Sequence, residues 1–122
     1  MKPNCVSALI VSQPGPLRDG LRALLTAMSR VEIIGETSDT ASVLRTIQKH
    51  RPTLVLMDAD LPGDEARNTL KAIKTDWPQV RCIVLASTVE QQQAIALAGA
   101  DSVPLKGFPA ERLYATIEKL LS

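Results

Sequence analysis

Charged residues stand directly after two apolar runs of this sequence, and they are the first candidates for a functional site. Asp58 and Asp60 follow the run Leu54–Met57, and Lys106 follows the run Val103–Leu105. An aspartate and a lysine brought together from such distant positions form either a structural ion pair or the centre of a functional site. Both interpretations stay open until the elements that carry these residues are placed.

The elements that must position these residues are predicted from hydrophobic patterning. Short apolar runs rich in β-branched residues predict strands, and amphipathic segments between them predict helices. The strands are expected at Ala8–Val11, Val31–Ile34, Leu54–Met57, Cys82–Leu85 and Val103–Leu105. Alternation of this kind predicts a parallel sheet with helices on both faces. The acidic residues of the second run and the proline of the fifth run suit edge strands. We therefore expect one α/β domain over residues 1–122, a flavodoxin-like (βα)5 doubly wound sheet with strand order 2-1-3-4-5.

The fourth predicted helix differs from the others in composition. The segment 89–98 is rich in Ala and Gln, which predicts a helix that is only lightly anchored to the core. Ser87-Thr88-Val89-Glu90 is a capping-box pattern at its start, and Gly99 is a stop signal at its end.

Composition excludes several classes of function. The chain has 122 residues, of which 45% are hydrophobic and 22% charged, so it can bury a core and is not a disordered tail. A net charge of +1 and an aromatic content of 2% predict no direct nucleic-acid binding and no membrane binding. The two cysteines, Cys5 and Cys82, predict neither a disulfide scaffold nor a zinc site, which favours a reducing cytoplasm. No cofactor is predicted.

In a sheet of this topology, ligands bind at the carboxyl ends of the strands. The residues there are Ser12-Gln13, Asp58-Ala59-Asp60, Ala86-Ser87 and Lys106. With them, three stretches resemble the receiver domain of two-component response regulators over essentially the whole chain: 16–25 (PLRDGLRALL), 56–63 (LMDADLPG) and 98–106 (AGADSVPLK). The sequence is most similar to the LuxR-type subgroup, whose receivers usually precede a helix-turn-helix DNA-binding domain; this chain stops after the fifth predicted helix.

The resemblance implies roles for three residues. Asp58 aligns with the phosphoacceptor aspartate, Lys106 with the lysine that pairs with the phosphoryl group, and the backbone carbonyl of Asp60 with a magnesium ligand. These roles agree with elementary chemistry, because a carboxylate can attack a phosphoryl donor and an ammonium can neutralise the arriving charge. Asp58 can equally persist as an unphosphorylated partner of Lys106 or as an anion at a helix start. Asp60 can equally be a turn residue.

The sequence departs from the family pattern at the metal positions. The acidic pair that holds magnesium in the family is replaced by Ser12 and Gln13. Magnesium prefers hard anionic oxygens, so any binding would be weak and limited to Asp58 and Asp60. A bound metal stabilises the charge that develops on the phosphoryl group by on the order of several kcal/mol, and this stabilisation is lost without the metal.

Two further departures concern the switch. The family's Ser/Thr at the end of the fourth strand is Ala86, and its rotating Tyr/Phe in the fifth strand is Val103. Strand alternation points Ser87 to the other face, so it can substitute for the lost hydroxyl only if the strand has already ended.

The sequence therefore predicts an atypical, non-enzymatic receiver of phosphorelay signal transduction that acts by phosphorylation-independent contact with a signalling protein. The expected contact surface is the fourth helix, fifth strand and fifth helix. The alternative is a working phosphoacceptor, phosphorylated at Asp58 by a histidine kinase and forming the N-terminal part of a DNA-binding transcription regulator. The resemblance also implies a homodimer as a candidate assembly.

Overall fold

The computed structural model describes residues 5–121 as strands and helices in alternation. The elements are β1 (Val6–Val11), α1 (Pro16–Thr26), β2 (Val31–Thr37), α2 (Thr40–His50), β3 (Leu54–Asp58), α3 (Glu65–Asp76), β4 (Arg81–Leu85), α4 (Val89–Leu97) and α5 (Ala110–Leu121), with a 3₁₀ turn at Pro62–Asp64. Within this range no helix is long and apolar enough to cross a membrane.

The sheet is parallel, with strand order β2-β1-β3-β4. This order confirms the doubly wound α/β topology predicted from the sequence. The segment predicted as a fifth strand lies beside β4 but makes only two isolated parallel bridges, Ile83 with Ser102 and Ala86 with Leu105. Pro104 between them has no N–H to donate, so a continuous ladder cannot form there. Its carbonyl still accepts a bond from the Ala86 N–H at 3.0 Å.

Strand alternation divides the core between the two faces of the sheet. On one face, α1 and α5 pack against alternate strand residues, including Ala8, Ile10, Leu54, Leu56, Ile83 and Leu85. On the other face, α2, α3 and α4 cover the intervening residues, including Leu9, Val11, Val55, Met57, Cys82 and Val84. Because both faces are covered, the site-bearing strands β3 and β4 are buried almost throughout and their carboxyl ends are held in fixed register.

Helix α4 begins at Val89, as predicted for the segment 89–98, but its cap lies one residue after the first residue of the capping-box pattern. The N-cap is Thr88, whose hydroxyl accepts a bond from the Gln91 N–H at 3.1 Å. The prediction of Ser87 as the cap is wrong, and the hydroxyl of Ser87 is therefore available to the carboxyl end of the sheet. Ile95 is the one residue of α4 that is buried, so the helix is as lightly anchored as its composition predicts.

A polar cluster near the amino end of β4 holds residues 102–105 against that strand. We call residues 102–105 the bridge segment. The ammonium of Lys74 on α3 lies 2.6 Å from Asp101 Oδ2 and donates to the Val80 carbonyl at 2.6 Å. The same Asp101 oxygen accepts the Cys82 N–H at 2.7 Å. These contacts place the chain that leads to Lys106. Beyond it, Gly107 turns the chain at φ 89°, a conformation that costs glycine little.

We expect Asp101→Ala to lower the free energy of unfolding by about 2 kcal/mol, because it leaves the mostly buried Lys74 ammonium without a carboxylate partner and the Cys82 N–H without its acceptor. Urea denaturation measures this change. Asp76→Ala, which removes an exposed carboxylate at the end of α3, is the control and stays within about 0.5 kcal/mol of wild type. Equal stability of the two variants would contradict the role assigned to Asp101.

Candidate functional site

The sheet brings Asp58 and Lys106 into direct contact at its carboxyl end. Asp58 is the last residue of β3, and Lys106 follows the bridge segment beside β4. The Lys106 N–H donates to the Ala86 carbonyl at 2.7 Å, which sets the height of the lysine above the sheet. Its ammonium lies 2.7 Å from Asp58 Oδ1. The side chains of Asp58 and Lys106 are 13% and 28% exposed, so the ion pair is largely shielded from solvent.

Asp60 is a second carboxylate on the same ammonium. Its Oδ2 lies 2.6 Å from Lys106 Nζ, and its backbone N–H donates to Asp58 Oδ1 at 2.8 Å. The last contact is the local turn hydrogen bond expected of an aspartate that precedes such a loop. Lys106 is therefore shared between two carboxylates, and we call this arrangement the Lys106 bridge.

The Lys106 bridge shifts the pKa of Asp60 and the pKa of Lys106. Hydrogen bonds from Lys106, Ser87 and Gln91 lower the pKa of Asp60 from 3.8 to about 2. Burial lowers the pKa of Lys106, but the hydrogen bonds and charges of Asp58 and Asp60 outweigh it, so that pKa lies above its ordinary value. The ammonium and the Asp60 carboxylate are thus both charged at neutral pH.

Two residues from the start of α4 also bind Asp60. The Ser87 hydroxyl donates to Asp60 Oδ2, and the Gln91 side-chain amide donates to Asp60 Oδ1 at 2.8 Å. The amide oxygen of Gln91 in turn accepts the Ser87 N–H at 2.7 Å. Because β4 ends at Leu85, Ser87 lies outside the strand and its side chain reaches the site. This is the arrangement in which the sequence allows Ser87 to substitute for the lost hydroxyl. Ser87 reaches the site through Asp60.

The positions after β1 contribute no acidic side chain. Ser12 is buried and its hydroxyl donates to the Gln13 carbonyl at 3.2 Å, while Gln13 is exposed. The Ser12 carbonyl accepts a bond from Arg18 Nε at 2.9 Å. A guanidinium thus lies against the backbone where the family carries its carboxylate pair.

The two switch positions are occupied by small aliphatic side chains. Ala86 is fully buried and offers no hydroxyl to the site. Val103 is half-buried and packs against the core on the α4 side of the sheet. Its carbonyl accepts the side-chain amide of Gln92 at 2.6 Å. An aliphatic side chain at this position has no aromatic ring to exchange between buried and exposed orientations.

The donor set does not fit a magnesium ion. Among residues 5–121 no group of three or more His, Cys, Asp or Glu side chains converges on a point that could hold a metal. Magnesium demands octahedral oxygen ligands, whereas the two carboxylates present, Asp58 and Asp60, both face the ammonium of Lys106.

Sequence reasoning missed Gln91, Gln92 and Arg18. The glutamines were read only as part of a Gln-rich helix, although Gln91 stands three residues after the N-cap, where a side chain folds back on the helix start. Arg18 lies in the stretch 16–25 that resembles the receiver family, but no role was predicted for it.

Comparison with known proteins defines the class. The family model described as "Response regulator receiver domain" matches residues 8–118. The chain is 32% identical over 102 residues to the uncharacterized transcriptional regulatory protein YhcZ of Bacillus subtilis, covering 82% of this chain and 48% of that protein. It is 29% identical over 119 residues to the response regulator protein VraR of Staphylococcus aureus, covering 93% and 56%.

Among solved structures, a LuxR-family DNA-binding response regulator from Staphylococcus aureus superposes with a TM-score of 0.84 at 21% identity, over 96% of this chain and 99% of that one. The chain belongs to the response-regulator receiver family. It spans about half the length of the curated relatives it matches.

Acid is expected to weaken the Asp60 contacts. Because the pKa of Asp60 is about 2 in the folded chain against an ordinary 3.8, its carboxylate stabilises the fold fully above about pH 4, and this contribution is lost as pH falls towards 2. The free energy of unfolding of wild type should therefore fall more steeply across this window than that of Asp60→Asn. Urea unfolding at a series of pH values measures both slopes. Asp76→Asn is the control and keeps the wild-type slope; parallel slopes for wild type and Asp60→Asn would refute the assignment.

Proposed function

We propose that this receiver domain takes part in two-component phosphorelay signal transduction by phosphorylation-independent contact with a signalling protein, and that it has no enzymatic activity of its own. A cytoplasmic location is part of the proposal. A histidine kinase is the partner that the family suggests, and a second copy of the chain is the other candidate.

The observation that carries the proposal is the Lys106 bridge. In a phosphoacceptor site the lysine neutralises the arriving phosphoryl group. Here the ammonium of Lys106 already has two carboxylate partners, at 2.6 and 2.7 Å. No acidic pair follows β1 to bind a metal, and Ala86 supplies no hydroxyl. An arriving phosphoryl group would thus meet no unpaired ammonium, no acidic pair that holds a metal ion and no hydroxyl at position 86.

The contact surface that we propose is formed by α4, the bridge segment 102–105 and α5. The large hydrophobic side chains that are exposed in the described part of the chain are Val89 and Leu97 on α4, Phe108 before α5 and Tyr114 on α5. Leu97 is 90% exposed. Exposed apolar side chains of this size are typical of protein contact sites.

A working phosphoacceptor is the second candidate, and the position of Asp58 favours it. Its carboxylate ends a central strand, partly open to solvent and beside a lysine. In that function a bond forms between Asp58 and phosphorus as the bond from phosphorus to the donor breaks. The match to about half of relatives described as transcriptional regulatory or response regulator proteins supports placing such a receiver in a longer DNA-binding regulator.

Magnesium and beryllofluoride separate the two candidates. We expect the amide NMR signals of Asp58, Ala86 and Lys106 to stay in place when millimolar magnesium and then beryllofluoride, a phosphoryl mimic, are added to the ¹⁵N-labelled protein. The physical reason is that the metal lacks ligands and the lysine is already paired.

The control for this titration is Asp58→Asn, which identifies signals that move without any binding at Asp58. Shifts centred on Asp58, Ala86 and Lys106 in wild type that vanish in Asp58→Asn would contradict the proposal and establish the phosphoacceptor.

A further inference from the structure

Helix α4 buries fewer residues than the other α-helices of the described chain. It has nine residues, of which Ile95 is buried, while Val89 and Leu97 are exposed. A helix this short is marginal in water without tertiary contacts. Its position therefore depends on polar contacts as well as on the burial of Ile95.

Two glutamine side chains supply those contacts. The Gln91 amide donates to Asp60 Oδ1 at 2.8 Å, and the Gln92 amide donates to the Val103 carbonyl at 2.6 Å. Gln92 ties α4 to neutral backbone, whereas Gln91 ties it to a carboxylate. A hydrogen bond to an ionised acceptor is about twice as strong as a neutral one. The contact with Asp60 is thus charge-assisted, whereas the contact with Val103 is shorter and more buried.

Asp60 also connects α4 to Lys106. One of its oxygens accepts the ammonium and the Ser87 hydroxyl, and the other accepts Gln91. A carboxylate has about four acceptor positions on its two oxygens, so one side chain can serve three donors from separate segments. An exposed ion pair alone contributes little, but a network of several charge-assisted bonds is the recognised exception.

We propose that the Asp60 carboxylate is a built-in anion that latches α4 to the lysine-bearing loop, so that α4 is docked without a phosphoryl group or a metal. We call this the Asp60 latch. Asp58 cannot do the same, because its recorded partners are Lys106 and the Asp60 N–H, neither of which lies on α4. Removing the Asp60 carboxylate leaves the Gln91 amide with only its long contact to the Ala59 carbonyl, at 3.5 Å, and loosens the start of α4.

The latch couples α4 to the lysine-bearing loop within the domain, and this coupling goes beyond the proposed function. Only its consequence for signalling, that α4 is presented to a partner in one fixed position, rests on that function. An event that draws Asp60 away from Gln91 would then loosen the contact surface.

Hydrogen exchange of the intact chain tests the latch. In Asp60→Ala we expect the amides of residues 92–98, which bond within α4 and its C-terminal turn, to exchange about tenfold faster than in wild type, from loss of charge-assisted bonds worth about 1.4 kcal/mol. The amides of α5 keep their wild-type rates. Asp76→Ala is the control for removing one exposed carboxylate and leaves both helices unchanged.

A second pair of variants avoids any change in charge. Gln91→Ala removes the tether and should raise exchange in α4, whereas Gln93→Ala makes the same change at an exposed position of the same helix and should not. Exchange in α4 within twofold of wild type in both Asp60→Ala and Gln91→Ala overturns the latch. So does an equal increase in Gln91→Ala and Gln93→Ala, because it would reflect helix composition alone.

The two proposals fail by different readouts. If beryllofluoride shifts the NMR signals of the wild-type protein, phosphorylation-independent action is overturned. The hydrogen-exchange rates of α4 then still test the latch. Unchanged exchange in the variants overturns the latch and says nothing about phosphorylation.

Discussion

The structure depends on one ammonium group shared between two carboxylates. Lys106 reaches Asp58 and Asp60 only because the sheet delivers its loop to the end of β3 and the Ala86 carbonyl holds its backbone at the right height. At the far end of the same chain segment, Asp101 pins the approach to the lysine against α3 and β4. The hydrophobic core, the polar cluster of Lys74 and Asp101, and the Lys106 bridge therefore act together to position Lys106. The fold fixes where Lys106 arrives, and the carboxylates fix what it does there.

The charge of the site determines what a metal ion or a phosphoryl group would meet in this receiver fold. One cation faces two anions, and the position after β1 adds a buried serine and an exposed glutamine instead of further acid. A metal would have to displace the lysine, and a phosphoryl group would have to compete with Asp60 for it. Fold and site chemistry are separable in this way, since a fold carries function only through the residues placed on it. Here the second carboxylate, Asp60, pairs with the lysine from within the chain.

Much of this arrangement could be predicted from the sequence, and the limits have physical causes. Apolar runs and strand topology were enough to place Asp58 beside Lys106, because parallel strands end at one edge. The fifth strand was placed correctly but is only a pair of bridges, since Pro104 has no N–H. The cap of α4 moved from Ser87 to Thr88, a one-residue boundary that patterns do not resolve. The contact of Gln91 with Asp60 depends on the rotamers of two side chains on opposite sides of a loop, and no spacing rule encodes that.

The Lys106 ammonium itself gives the most direct test of this account. Heteronuclear NMR at low temperature can detect its three protons and their couplings through hydrogen bonds to carboxyl carbons. The account predicts an ammonium signal that exchanges slowly with water and couples to the carboxyl carbons of both Asp58 and Asp60. A signal that exchanges as fast as those of exposed lysines, or that couples to Asp58 alone, would contradict it, because the lysine would then be free to receive a phosphoryl group.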